Sequence, residues 1–284
     1  MKKYLIACLA TAILLGMPIY AGSTPPPTIA IIDTGVDMTN KAISNRVVGQ
    51  VCILVQTTCP NGKNFMEGAN SATLDPSKSL NNGFYHGTQM AGIIAENSNV
   101  NIVAIRIIGM NADGTRATSN VSVIEKSLQW VVDNKHKYNI SAVSISQAIR
   151  TTSTCMSNRS IESNVAVLKN IGVPVIAGSG NDSDYVRTSF PACVKDVVSV
   201  GATDPATSKG QFPALYSNYS DDFYMNGTMN TYKNSTTKTK TVGTSNATAL
   251  LSAVWVSKGM TYEKFKSSAV IVSTAKVKNV MVIK

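Results

Sequence analysis

Histidine is scarce in this sequence: the 284 residues contain only His86 and His136. Most sites in which three histidines bind one metal ion are therefore excluded. Aromatic residues make up 6% of the chain and charged residues 15%, and the 26 basic residues are scattered singly. Because neither a basic stripe nor an aromatic stacking platform is present, the net charge of +10 indicates a basic surface and no nucleic-acid partner.

Long polar low-complexity segments are also lacking, which excludes disorder as a description of the whole chain. Hydrophobic residues make up 44% of the sequence and occur in blocks, and the mean hydropathy is close to zero. The length allows one large domain or two small ones. No linker or internal repeat divides the chain, so a single domain over residues 22–284 is predicted.

The first 21 residues have the pattern of a bacterial-type secretory signal peptide. Two lysines precede an apolar stretch over residues 4–19, and Ala21 supplies a small residue for cleavage. The uninterrupted apolar run is shorter than the roughly 20 residues that a membrane-spanning helix needs. We therefore expect a secreted or periplasmic protein with no stable membrane anchor after cleavage.

Cleavage would leave four cysteines in the exported chain: Cys52, Cys59, Cys155 and Cys193. An even number of cysteines in such a chain predicts two disulfides. Three pairings are possible, and the short spacing favours Cys52 with Cys59, which leaves Cys155 with Cys193. A zinc site is the alternative, but the sequence has no Cys-x-x-Cys pair and the histidines lie elsewhere.

Short runs rich in valine and isoleucine alternate with helix-like segments. The runs occupy residues 28–32, 101–108, 141–146, 174–177 and 196–200. They are continuous rather than alternating, as expected for strands buried on both faces. The pattern predicts an α/β fold with a doubly wound, mostly parallel sheet flanked by helices. Residues 207–240, rich in Ser, Thr, Asn and Lys, are predicted to form surface loops and a poorly paired edge.

Three short motifs carry the candidate chemistry. Asp33 follows a buried strand in I-I-D-T-G, His86 opens H-G-T-Q-M-A-G, and Ser245 lies in G-T-S-N-A-T-A before a helix-like run. Taken singly, they are explained equally well by a turn aspartate, a helix start and a helix N-cap. Together, the order Asp, His, Ser is one of the known orders of the serine-hydrolase triad.

The residues around these motifs resemble the subtilisin-like serine peptidases, the subtilases. Further matching segments are V-I-A-G-S-G-N at residues 175–181, F-P-A-C at 190–193 and V-S-V-G-A at 198–202. The similarity runs from about residue 29 to residue 255, which is most of the predicted mature chain. The resemblance implies a serine endopeptidase that acts on polypeptides and is a monomer.

The resemblance also implies a role for each motif. Ser245 would attack the peptide carbonyl to form an acyl-enzyme, His86 would accept the serine proton, and Asp33 would orient the histidine. The Asn181 side chain and the Ser245 N–H would form the oxyanion hole. No cofactor is expected, and no metal site is assigned. Structural calcium, common in the family, is left open because no acidic cluster specifies a loop site.

By the same analogy, two segments are expected to flank the substrate pocket. Their residues are Ser144, Ile145, Ser146, Gly178, Ser179 and Gly180. This chain has Gln147, Ala148 and Ile149 where the family usually has Leu-Gly-Gly-like residues, and the larger side chains are expected to narrow or cover the pocket. Around the triad, Gln89, Met90 and Asn246 also replace the family's usual residues.

Two alternatives remain open. One is a catalytically silent subtilisin-like protein that binds peptides or a partner protein, and the other is an unrelated exported α/β binding protein. Only residues 22–28 separate the predicted cleavage site from the first strand, so no propeptide is evident. We expect the chain either to fold unaided with help from its disulfides or to fold slowly.

Overall fold

A computed structural model describes residues 25–74, 83–205 and 212–283 of the chain. The predicted signal peptide over residues 1–21 and Cys8 lie outside these ranges. The described strands are β1 (Thr28–Asp33), β2 (Val47–Ile53), β3 (Phe65–Glu67), β4 (Asn101–Arg106), β5 (Ile140–Ile145), β6 (Val175–Gly178), β7 (Val198–Thr203), β8 (Phe223–Asn226), β9 (Thr228–Tyr232), β10 (Lys238–Val242), β11 (Val270–Val272) and β12 (Val280–Val282). The helices are α1 (Lys41–Ser44), α2 (His86–Asn97), α3 (Val121–Tyr138), α4 (Arg159–Asn170), α5 (Thr244–Ser257) and α6 (Tyr262–Ser268).

A ten-stranded sheet forms the centre of the fold, with the order β11-β12-β8-β7-β6-β5-β1-β4-β2-β3. Neighbouring strands are parallel except in the outermost pairs, β11 with β12 and β2 with β3. The five strands predicted from apolar runs correspond to β1, β4, β5, β6 and β7, with ends that differ by at most three residues. The predicted mostly parallel, helix-flanked sheet is confirmed.

Helices cover both faces of this sheet, which explains why its central strands are apolar throughout. On β1, Ile29 and Ile31 pack into one core with residues of α2 and α5. Ala30 and Ile32 point the other way and pack into a second core with residues of α3 and α4. All six residues of β1 are buried, because successive side chains of a strand face opposite sides of the sheet.

The expectation for residues 207–240 is wrong in part. Strand β8 lies within the main sheet, hydrogen-bonded to β7 on one side and β12 on the other, and its Phe223 and Tyr224 are fully buried. Strands β9 and β10 form a separate antiparallel hairpin. The sequence does not indicate β8 because this strand is only four residues long and is flanked by polar loops.

Two disulfides tie loops to the fold: Cys52 with Cys59, and Cys155 with Cys193. This is the pairing that the sequence spacing favoured. The first closes a short loop at the end of β2, and the second joins the segment before α4 to the segment before β7. Within the described ranges, no helix combines the length and the apolarity needed to cross a bilayer.

Candidate active site

The three motif residues lie at the carboxyl edge of the central sheet. Asp33 is the last residue of β1, which lies between β4 and β5 where the strand order reverses direction along the chain. His86 is the first residue of α2, and Ser245 is the second residue of α5. In open α/β sheets this edge, at such a switch point, is where ligands bind.

Asp33 and His86 form a close pair. The Nδ1 atom of His86 lies 2.9 Å from each carboxylate oxygen of Asp33. The Asp33 side chain is 2% exposed, whereas the His86 side chain is 24% exposed and borders the cleft described below. The backbone N–H of Thr34 also donates to Asp33 Oδ1, at 2.7 Å. The buried carboxylate therefore holds the ring from behind and leaves its outer edge accessible.

Burial and charge act on Asp33 in opposite directions. Burial alone raises the pKa of this carboxyl, but the charge and hydrogen bond of His86, the Thr34 N–H and the nearby Arg116 charge together lower it further. The net pKa of Asp33 lies below its ordinary value of 3.8. Asp33 is therefore an anion at neutral pH and is suited to stabilise a positive charge on His86.

A clamp between β1 and α2 fixes the relative position of this pair. Thr34 Oγ1 donates to Phe84 O at 2.7 Å and accepts from the Gly87 N–H at 2.9 Å. At Gly87 the backbones approach so closely that an added Cβ atom would lie 2.2 Å from Gly35 O. A glycine at position 87 is therefore required for α2 to begin beside the end of β1.

We expect Gly87→Ala to destabilise the protein by about 1–3 kcal/mol and to lower kcat/KM for peptide hydrolysis on the order of a hundredfold. The alanine methyl group would push α2, and His86 with it, away from Asp33. Denaturant unfolding and peptide-hydrolysis kinetics measure the two effects. Helix propensity alone predicts the opposite sign for stability, so a stabilised Gly87→Ala variant would contradict the close-contact argument.

Ser245 lies in the first turn of α5, at the helix end where backbone N–H groups lack intrahelical partners. Gly243, not Ser245, occupies the N-cap position, so the alternative interpretation of Ser245 as a cap is not supported. Ser245 Oγ donates to Ser146 O at 3.2 Å, and Ser146 Oγ donates to Ser245 O at 3.2 Å. Among the described residues, Ser245 Oγ makes no hydrogen bond to His86.

Asn181 lies beside the same helix end. Its Oδ1 accepts a hydrogen bond from the Thr244 N–H at 2.9 Å, which fixes the orientation of the amide. The Nδ2 group makes no hydrogen bond with any residue that the structure describes, and it lies on the side chain that borders the cleft. Asn181 Nδ2 and the Ser245 N–H are thus two donors at one end of the cleft, the arrangement required to bind an oxyanion.

A cleft of about 390 Å³ joins these groups. It is lined by His86, Arg116, Ser146, Gln147, Ala148, Arg150, Gly178, Gly180, Asn181, Asp182, Ser189, Thr244 and Ser245. The structure thus places the candidate nucleophile, the candidate base and the candidate oxyanion donors around one open space. Two arginines and one aspartate also border it, and none of these three was predicted from sequence.

The six residues predicted to flank the substrate pocket differ in their position relative to the cleft. Ser146, Gly178 and Gly180 border the cleft, but Ser144, Ile145 and Ser179 are at most 1% exposed and do not. Ser144 and Ile145 lie inside β5, which helices cover on both faces, and Ser179 Oγ donates into the interior to Asn218 O. Burial of both faces of the strand removes these side chains from the surface.

Two of the residues that differ from those usual in subtilases make specific hydrogen bonds here. Gln147 is 6% exposed, and its Nε2 atom lies 2.8 Å from Asp33 Oδ1. Asn246 Nδ2 donates to Gly227 O and to Thr241 Oγ1, at 3.0 Å each, which ties the start of α5 to the neighbouring hairpin. Gln147 therefore borders the cleft while its amide points inward toward Asp33.

A family model described as the subtilase family matches residues 26–282, which includes the whole site. The chain belongs to the subtilase family. Residues 26–282 contain every strand and helix described above, so the family assignment applies to the whole fold and not to the motifs alone.

Relatives of this subtilase include a subtilisin-like protease 3 of Pseudogymnoascus destructans, 30% identical over 65% of this chain and 40% of that protein. Subtilisin Savinase of Lederbergia lenta is 30% identical over 52% of this chain and 53% of that protein. A solved protease structure from Pseudoalteromonas arctica has a TM-score of 0.68 at 16% identity, covering 92% of this chain and 88% of that one. The sequence matches thus span about half or less of the length of each relative. The fold, in contrast, is shared over nearly the whole of this subtilase chain.

No metal centre is assigned in this subtilase. The described residues contain no group of three or more His, Cys, Asp or Glu side chains placed to hold a metal ion.

Proposed function

We propose that this subtilase is a serine endopeptidase in which Ser245 is the nucleophile, His86 the general base and Asp33 the residue that orients His86. The observation that carries the proposal is the buried Asp33 carboxylate 2.9 Å from His86 Nδ1, with the His86 ring and Ser245 on one cleft. Family membership supports it. Polypeptides are the proposed substrates.

In the proposed mechanism, a proton on His86 Nδ1 is held by Asp33, so that Nε2 is free to accept a second proton. Ser245 Oγ leaves Ser146 O, transfers its proton to Nε2 and bonds to the carbonyl carbon of the substrate. The tetrahedral intermediate collapses to an acyl-enzyme as the imidazolium returns the proton to the leaving amine. Water, activated by the same histidine, then hydrolyses the ester and regenerates Ser245.

The negative oxygen of the tetrahedral intermediate would be bound by Asn181 Nδ2 and the Ser245 N–H. The position of Ser245 in the first turn of α5 adds the positive end of the helix dipole. Both donors are fixed before the substrate arrives, Asn181 by its bond to the Thr244 N–H and Ser245 by the helix. Donors fixed in advance need no reorganisation as the charge develops, which is the main source of their catalytic effect.

One observation favours a second candidate function, a catalytically silent protein that binds peptides in the cleft. Ser245 Oγ donates to Ser146 O and not to His86. Catalytic hydrogen bonds are commonly long or poorly aligned in the absence of substrate, so this partner of Ser245 Oγ does not argue against activity. Activity is therefore the better-supported proposal.

Fluorophosphonate labelling of the purified chain tests the proposal. A fluorophosphonate reacts only with an activated serine, so we expect stoichiometric labelling that peptide mapping places at Ser245, together with hydrolysis of casein. Heat-unfolded protein is the control and should not react. Folded protein that neither labels nor hydrolyses casein, but still binds peptides, would replace the enzyme with the silent alternative.

We also propose that the protein acts outside the cytoplasm. The signal-peptide pattern of residues 1–21 and the two disulfides support export, because disulfides persist in oxidising compartments.

The charges of the cleft predict a substrate preference. Arg116 and Arg150 border it, while its one carboxylate, Asp182, accepts a hydrogen bond from Asn218 Nδ2 at 3.1 Å. We expect peptides with glutamate next to the scissile bond to be cleaved faster than matched peptides with lysine. Arg150→Gln should reduce this ratio of kcat/KM values roughly three- to fivefold, the effect of a partly exposed ion pair.

Arg159→Gln is the matched control, since Arg159 is exposed on α4 and does not border the cleft. The same glutamate-to-lysine ratio in the wild type, Arg150→Gln and Arg159→Gln would show that Arg150 does not contact the substrate.

A further inference from the structure

Gln147 lies against the Asp33–His86 pair, although neither a triad nor an oxyanion hole requires a glutamine there. It lies two residues after the end of β5 and is 6% exposed. Its Nε2 atom is 2.8 Å from Asp33 Oδ1 and 2.9 Å from His86 Nδ1. A buried side-chain amide is thus in contact with both atoms of the hydrogen bond that would orient the base.

The partners of the amide determine which of its ends faces the pair. Arg116 Nη2 donates to Gln147 Oε1, and a guanidinium has no acceptor to offer. Asp33 Oδ1, at the other end, can only accept. Exchanging the amide oxygen and nitrogen would place oxygen against a carboxylate and NH₂ against a guanidinium, so Nε2 must donate to Asp33.

Asp33 Oδ1 consequently has three donors around it: the Thr34 N–H at 2.7 Å, Gln147 Nε2 at 2.8 Å and His86 Nδ1 at 2.9 Å. The carboxylate is almost fully buried, so no water replaces a donor that is lost. Thr34 and Gln147 approach from β1 and from the end of β5. With both in place, the carboxylate has a defined rotation relative to the His86 ring.

We infer that Gln147, held by Arg116, is a positioning residue that fixes the Asp33 carboxylate against His86. The inference rests on the proposed function. It assigns a role to a residue that stands where the family usually has an apolar leucine-like side chain.

Gln147→Met tests the positioning role, because methionine has a similar length and no hydrogen-bond donor. We expect kcat for a peptide substrate to fall roughly tenfold, the effect of one hydrogen bond to a charged group, with KM changed less than about twofold. Gln129→Met is the matched control, since Gln129 is exposed on α3. A fall in thermal stability or a rise in KM without a fall in kcat would indicate packing alone and overturn the positioning role.

A readout independent of activity separates this inference from the proposed function. The chain has two histidines, so ¹⁵N-histidine NMR with a His136→Gln variant assigns the His86 signal. We expect the His86 Nδ1–H signal, which reports the hydrogen bond to Asp33, to shift in Gln147→Met and not in Gln129→Met. An inactive wild type with this shift in Gln147→Met would remove the peptidase proposal only. An active wild type with the same Nδ1–H signal in all variants would overturn the role of Gln147 only.

Discussion

Replacing Ser245 with alanine is expected to reduce peptide hydrolysis by about four to six orders of magnitude, the range typical of removing a triad nucleophile. No neighbouring group can take over, because the other hydroxyl in contact, Ser146 Oγ, is directed at Ser245 O. The fold should not change, since Ser245 is not the N-cap of α5 and its own Oγ makes a single hydrogen bond. Burst kinetics with an ester substrate and far-UV circular dichroism measure these two expectations.

The stronger form of this prediction is that His86→Ala and the double variant lose as much activity as Ser245→Ala alone. Residues that act as one unit give strongly non-additive losses, because removing either partner already abolishes the proton transfer. His136→Ala is the matched control, since His136 lies in the last turn of α3. Losses that multiply in the double variant would mean that His86 and Ser245 act independently, and the proposed mechanism would then be wrong.

The strands predicted correctly from sequence, and the candidate residues found there, are those whose signal is local. Five buried strands were recognisable as continuous valine- and isoleucine-rich runs, because helices cover both faces of the sheet. Asp33, His86 and Ser245 were recognisable because each lies in a short segment of small residues. At His86 the structure supplies the physical reason, since Gly87 must pass within contact distance of Gly35.

The residues missed are those whose role depends on distant parts of the chain. Arg116 comes from the loop between β4 and α3, and no local pattern indicates that its guanidinium reaches Gln147. For Gln147, the sequence shows a side chain larger than the family's usual residue, but it does not show the direction in which that side chain points. Strand β8 was missed for a related reason: its stabilising neighbours, β7 and β12, are separated from it along the chain.

Asp33→Asn is expected to lower kcat about 10⁴-fold while leaving the shape of the site intact. An asparagine amide at this position would present either an NH₂ group or a neutral oxygen to His86 Nδ1. With NH₂ facing it, Nδ1 becomes the acceptor and the ring proton moves to Nε2, where it blocks transfer from Ser245. With oxygen facing it, the negative charge that stabilises the imidazolium is still lost. Single-turnover kinetics separate this loss of chemistry from any change in substrate binding.

The same substitution should change how stability depends on pH. The folded-state pKa of Asp33 lies below its ordinary value of 3.8, so the ionised carboxylate contributes stability above that pH. This contribution is lost as the pH falls below 3.8 and through the folded-state pKa. The difference in the free energy of unfolding between the wild type and Asp33→Asn should therefore be largest near neutral pH and shrink in acid.

Denaturant unfolding at a series of pH values measures this difference, with Asp133→Asn as the control because Asp133 is exposed on α3. The control removes one exposed carboxylate that has no histidine partner, so its effect should change little over the same range. A gap between the wild type and Asp33→Asn that widens on acidification would require the folded-state pKa of Asp33 to be raised. Burial would then outweigh His86, and Asp33 would be less able to stabilise the imidazolium on which the proposed mechanism depends.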